Sequence, residues 1–94
     1  MTLEFEWHAR KSAANQRKHG VTFEEAKTVF NDCFALMVAD PDHSADEDRW
    51  LEMGLSAAGR LIVVWYTLRS GVIRIIGARS ATPAEARSYV DERP

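Results

Sequence analysis

At 94 residues the chain has room for one small domain, 1–94, and its 46% hydrophobic and 28% charged residues exclude a disordered protein. One cysteine, Cys33, excludes an internal disulfide and a thiolate metal cage, and the longest apolar run, LIVVWYTL, is far too short to cross a bilayer. The net charge of −2 hides an asymmetry: residues 8–19 hold Arg10, Lys11, Arg17 and Lys18 with no acid, while the remainder has 8 basic and 14 acidic residues.

LEFEW, residues 3–7, alternates apolar and acidic side chains and predicts a half-buried strand. HARKSAANQRKH follows as a helix of about three turns, with alanines 9, 13 and 14 as a thin apolar stripe. Gly20 stands where a left-handed C-cap belongs, and Lys18 and His19 fill the last turn, where cations suit the helix dipole. Thr22-Phe23-Glu24-Glu25 has the spacing of a capping box, opening a second helix whose core stripe is Phe23, Ala26, Val29 and Phe30 and which ends at Asn31-Asp32. Cys33 is expected as a small buried filler before the strand FALMVA, residues 34–39.

DPDHSADED has turn formers and charge without apolar period, and predicts a loop. Strands then follow at 49–57, 60–68 and 72–79, separated by short Gly-containing connections that predict hairpins. Thr82-Pro83-Ala84-Glu85 opens a third helix running to about Val90. The order β-α-α-β-β-β-β-α describes an α+β domain, a mostly antiparallel sheet with packed helices. The N-terminal MTLEFEWHARK lacks the apolar core of a secretion signal, so a cytoplasmic protein with no membrane association is expected.

On the first helix Lys11, Asn15, Lys18 and His19 share one face, a stripe of phosphate donors that includes an imidazole, the side chain suited to acid and base work. Spacing alone favours a solvated, well-charged helix end over a working face. Arg49, Arg60, Arg74 and Arg79 lie in or beside the strands and could build a phosphate pocket, since a guanidinium binds phosphate bidentately and keeps its charge. In a regular strand Arg74 and Arg79 point to opposite faces, and only a bulge would turn them to one site. Asp40, Asp42, His43, Asp46, Glu47 and Asp48 fail the calcium-loop spacing and read as an acidic surface loop, with no metal or other cofactor expected. Trp7, Trp50 and Trp65 have the rings to stack bases, but core packing is their default.

Taken as a set, NQRKHGVTFEEAKTVFND, DPDHSADEDRW, GLSAAGRLIVV and RIIGARSATPAEARSYV resemble the BrnT family of bacterial type II toxins over nearly the whole chain. The resemblance implies a RelE-like ribonuclease that inhibits translation by cleaving RNA. It also implies neutralisation by a cognate BrnA-type antitoxin, which carries the DNA-binding part, so that promoter DNA is met only through the antitoxin. Two positions depart from the family pattern: Trp7-His8-Ala9 stands where W-D-P is common, and Gly77 replaces a small polar residue.

The mechanism expected under this resemblance is metal-independent attack of a ribose 2′-hydroxyl on the adjacent phosphorus. His19 is the candidate base or acid, Lys18 and Arg79 the candidates for stabilising charge, and Lys11, Asn15, Arg49 and Arg74 the RNA-binding candidates. Tyr89 is a lesser candidate proton donor, with packing as its other role. Two rival readings stand beside it: a non-catalytic module that docks an antitoxin-like partner through the basic helix, and a metal-dependent nuclease built on residues 40–48.

Overall fold

The alternation at residues 3–7 produces a short edge strand, β1 (Glu4–Glu6), in the structure, a computed structural model that describes residues 3–39 and 49–92. After it come α1 (Ala9–His19), α2 (Phe23–Lys27), a 3-10 turn (Thr28–Asn31), β2 (Leu36–Ala39), β3 (Arg49–Leu55), β4 (Leu61–Arg69), β5 (Val72–Ser80) and α3 (Pro83–Asp91). The second predicted helix is thus divided, its end tightened into 3-10 geometry. The acidic loop predicted from residue 40 to 48 lies outside the described residues.

The strands form one sheet in the order β1-β5-β4-β3-β2, with β1 parallel to β5 and every other pair antiparallel. The predicted hairpins are present. In the β4–β5 turn Ser70 and Gly71 both take positive φ (50° and 80°), the twist-matched connection for two antiparallel strands.

Val21, Phe23, Ala26 and Val29 pack on one sheet face against Ile62, Val64 and Tyr66 of β4 and Ile73, Ile75 and Ala78 of β5. Phe5, Trp7, Phe30 and Trp50 close the margin of this core. Phe30 stands edge-on to both Phe5 and Tyr66, with ring centroids 5.2 and 5.1 Å away, a favourable quadrupole arrangement. Strand parity sends Val63, Trp65 and Thr67 to the opposite, far face. There Leu36, Leu51, Met53 and Val63 meet Glu85 and Ser88 of α3 around a cavity of about 220 Å³.

Two expectations need correction. Cys33 is exposed, because Asp32 turns the chain sharply after the 3-10 segment. Its Oδ1 accepts from the Phe34 amide at 2.9 Å and its carbonyl from the Ala35 amide at 3.0 Å, leaving Cys33 at the outer corner. The alanines of α1 are exposed too, and its buried residues are Ser12 and Asn15. This helix lies against backbone that needs hydrogen-bond partners, so polar side chains face inward. No described helix is long and apolar enough to cross a membrane.

Candidate functional site

The first helix starts where the sequence departs from the acid-Pro pattern. His8 takes the N-cap position itself, its Nδ1 accepting from the Arg10 amide at 3.2 Å. At the other end Gly20, at φ 73°, donates its N–H to the Gln16 carbonyl at 2.8 Å and closes the last turn. Arg60, from the β3–β4 connection, fixes this end by donating to the Gly20 carbonyl at 3.0 Å while its Nε reaches Glu25 at 2.9 Å. The basic turn Arg17-Lys18-His19 is therefore held from two directions.

Asn15 decides how α1 meets the sheet. Strand β1 pairs β5 only as far as Arg74, so the β5 backbone beyond it lacks a strand neighbour on that side. Asn15 fills the gap with the two halves of its amide. Its Oδ1 accepts from the Ala78 N–H at 3.2 Å and its Nδ2 donates to the Ala78 carbonyl at 2.8 Å. The second Nδ2 proton goes to the Val21 carbonyl, also at 2.8 Å. Both donors are committed, which leaves Asn15 none for a phosphate; its place in the stripe is that of a scaffold.

Around this anchor Lys11, Ala14, Asn15, Lys18 and His19 face Trp65, Ile76 and Gly77 across an open depression of about 240 Å³. The His19 ring stands at 80° to the Trp65 indole with centroids 6.4 Å apart. Among the described residues no hydrogen bond or ion pair engages Lys11, Lys18 or the His19 imidazole. Three of the four predicted stripe residues thus present uncommitted polar groups to one depression.

The arginines are arranged by a bulge. Tyr66 pairs with Ile75 but Trp65 pairs with Gly77, so Ile76 is an extra residue in β5 and parity shifts by one after it. Ala78 consequently joins the core, and Arg74 and Arg79 emerge together on the far face, in the rows on either side of Trp65 and Gly77. Rows on one face are about 7 Å apart, which separates the two arginines by roughly 13 Å at their backbones. Arg74 is flanked by Thr67 and then Arg49 in its own row. The Thr67 Oγ1 is buried with no hydrogen-bond partner among the described residues.

Both of these arginines are paired with carboxylates. Arg74 Nη1 lies 2.5 Å from Glu6 of β1. Arg79 grips Glu85 bidentately, Nη1 to Oε1 at 2.7 Å and Nη2 to Oε2 at 3.0 Å. Glu85 also closes the capping box of α3, accepting from the Thr82 amide at 2.8 Å. The Arg79 guanidinium, with the Thr82 amide behind it, holds the Glu85 carboxyl well below its ordinary value, at about 2, against an opposing push from burial. A depressed carboxyl contributes stability that is full above about pH 5 and is lost as the pH falls through about 2. Glu85→Gln is expected to flatten the fall of the urea midpoint over that range; a wild-type slope in the variant would show that the pair contributes nothing.

Tyr89 is buried, and its hydroxyl donates to Asp32 Oδ2 at 2.5 Å, which ties α3 to the end of the 3-10 segment. The contribution of Trp65 and Gly77 to the depression was missed from sequence, although an isolated glycine inside a strand pattern is a sign of a bulge or close approach. Trp7 and Trp50 follow the default and pack on the core.

A family model described as the ribonuclease toxin BrnT of type II toxin–antitoxin systems matches residues 7–85. A crystal structure of the Brucella abortus ribonuclease toxin BrnT is similar in fold, with TM-score 0.67 and 23% identity over 86% of this chain and 99% of that one. No curated protein matches the sequence.

Proposed function

This chain belongs to the BrnT family of ribonuclease toxins of type II toxin–antitoxin systems, and we propose that it cuts RNA without a metal ion, by attack of a ribose 2′-hydroxyl on the adjacent phosphorus. The observation that carries this reading is the His19 imidazole, uncommitted beside Lys18 and Lys11 at the rim of a depression large enough for part of a nucleotide. An imidazole can take or return a proton near neutral pH, and two ammonium groups beside it favour a phosphate there.

In the proposed step the 2′-hydroxyl loses its proton to a base, the 2′-oxygen forms a bond to phosphorus, and the bond from phosphorus to the 5′-oxygen breaks. That oxygen leaves with a proton, so the products end in a 2′,3′-cyclic phosphate and a 5′-hydroxyl. His19 serves one of the two proton transfers, and Lys18 neutralises charge on the five-coordinate phosphorus. Arg79 joins by exchanging Glu85 for the phosphate, an exchange of one bidentate partner for another. Lys11, Arg74 and Arg49 hold the flanking phosphates, while Asn15 keeps α1 seated on β5. A cognate BrnA-type antitoxin would cover the basic face and carry any promoter contact, and the reading places the protein with its RNA in the cytoplasm.

The test uses one RNA oligonucleotide and its copy with a single 2′-deoxynucleotide at the mapped cut. The unmodified RNA is expected to be cleaved at an unchanged rate in excess chelator, and the deoxy copy and all-DNA strand to remain whole. Cleavage of the deoxy copy at a comparable rate, or loss of cleavage of the unmodified RNA on chelation, overturns the mechanism.

A further inference from the structure

Trp65 is the largest side chain at the depression, and the cleavage chemistry does not use it. It comes from β4 on the far face, opposite the core that absorbs Trp7 and Trp50. Its neighbour across the ladder is Gly77, and the indole lies directly on that residue. A Cβ at Gly77 would sit 2.4 Å from Cε2 and Cζ2 and 2.6 Å from Nε1, so no other residue fits there with Trp65 in place. Only the bulge at Ile76 turns Gly77 to this face, so bulge, glycine and indole form one device.

The device costs sheet stability, since glycine adds no packing inside a strand. In return a partly exposed indole is delivered to the depression beside His19. Among the described residues no ring other than His19 approaches it, and its Nε1–H has no hydrogen-bond partner. An indole supported by backbone on one side, facing two lysines and an imidazole, has the features of a surface on which a flat, phosphate-bearing ligand stacks.

We infer that Trp65 is the stacking platform for a nucleobase next to the cleaved phosphate, and that it determines which nucleotides of single-stranded RNA are held for cutting. This rests on the ribonuclease reading of the same site. Every base has a π face, so the platform tolerates sequence but demands an unstacked base, and single strands or loops are its substrates.

The probe is a single-stranded RNA, 2′-O-methylated throughout so that it binds without being cut, together with copies carrying one abasic position each. The wild type is expected to lose about tenfold or more in affinity at one abasic position. Trp65→Leu, which fills space without stacking, should bind the intact probe with the same loss and be indifferent to that abasic position. Trp65→Phe should recover most of the binding and the sensitivity. Equal affinity of Trp65→Leu and wild type, or abasic sensitivity that survives in Trp65→Leu, overturns the platform. If Trp65→Leu does not fold, a wild type indifferent to every abasic position overturns it equally. Cleavage of unmodified RNA is measured alongside. Trp65-dependent binding without cleavage would leave the platform and remove the ribonuclease chemistry, and cleavage without Trp65-dependent binding would do the reverse.

Discussion

A His19→Ala variant is expected to cleave RNA about 10² to 10⁴-fold more slowly than the wild type, the range lost when a positioned acid or base is removed. The loss should fall on kcat, because in the proposed mechanism the imidazole acts on protons in transit while Lys11 and Lys18 remain to hold the phosphates. His19 closes α1 through its backbone, and its ring makes no hydrogen bond among the described residues, so urea unfolding should change little. His19→Gln restores a polar side chain but no titratable one and should remain as slow. A folded His19→Ala enzyme with near wild-type kcat would remove the imidazole from the chemistry and send attention to the arginines of the far face.

The largest effect on stability is expected at Asn15. Asn15→Ala strips the hydrogen-bond partners from the Val21 carbonyl and from both the N–H and the carbonyl of Ala78, at two residues with no solvent exposure. Unsatisfied buried groups cost on the order of 1–3 kcal/mol each, and water entering from the depression recovers part of it, so a net loss of about 3 kcal/mol is expected. For a domain of this length that lowers Tm by roughly 10–20 °C. Asn15→Asp is a sharper form of the same test. A carboxylate can accept from the Ala78 N–H, but it would place lone pairs against two carbonyl oxygens, so it should not rescue. A variant within about 1 kcal/mol of the wild type would mean that the amide bridge does not hold α1 to the edge of β5.

Much of the architecture was legible because its signals are local. Alternation at residues 3–7, the left-handed glycine after His19, the capping threonines 22 and 82 and the Gly-containing hairpins each act within a few residues and are present, although the box expected at Thr22 is only half made, because the Glu25 carboxylate turns to Arg60 and Ser56. What was not legible depends on partners far along the chain. Asn15 reads as an RNA-binding amide in the stripe of phosphate donors until Ala78, 63 residues later, is brought beside it by a strand that β1 leaves unpaired. Arg74 and Arg79 were expected to diverge unless a bulge intervened; the bulge exists, but nothing in the spacing located it at Ile76. Glu6 and Glu85, which hold those arginines, announce themselves only through the β1–β5 pairing and the return of α3 over the sheet. Cys33 was misjudged because general habit places a lone cysteine inside, whereas the turn made by Asp32 carries it outward.

The decisive measurement is growth after induction, comparing the wild type with a His19→Ala, Lys18→Ala double variant shown to fold and to accumulate equally. Arrest by the wild type and growth of the variant is the predicted result, and it would tie toxicity to the last turn of α1. Arrest by both would contradict that assignment, and growth of both would contradict the toxin activity itself.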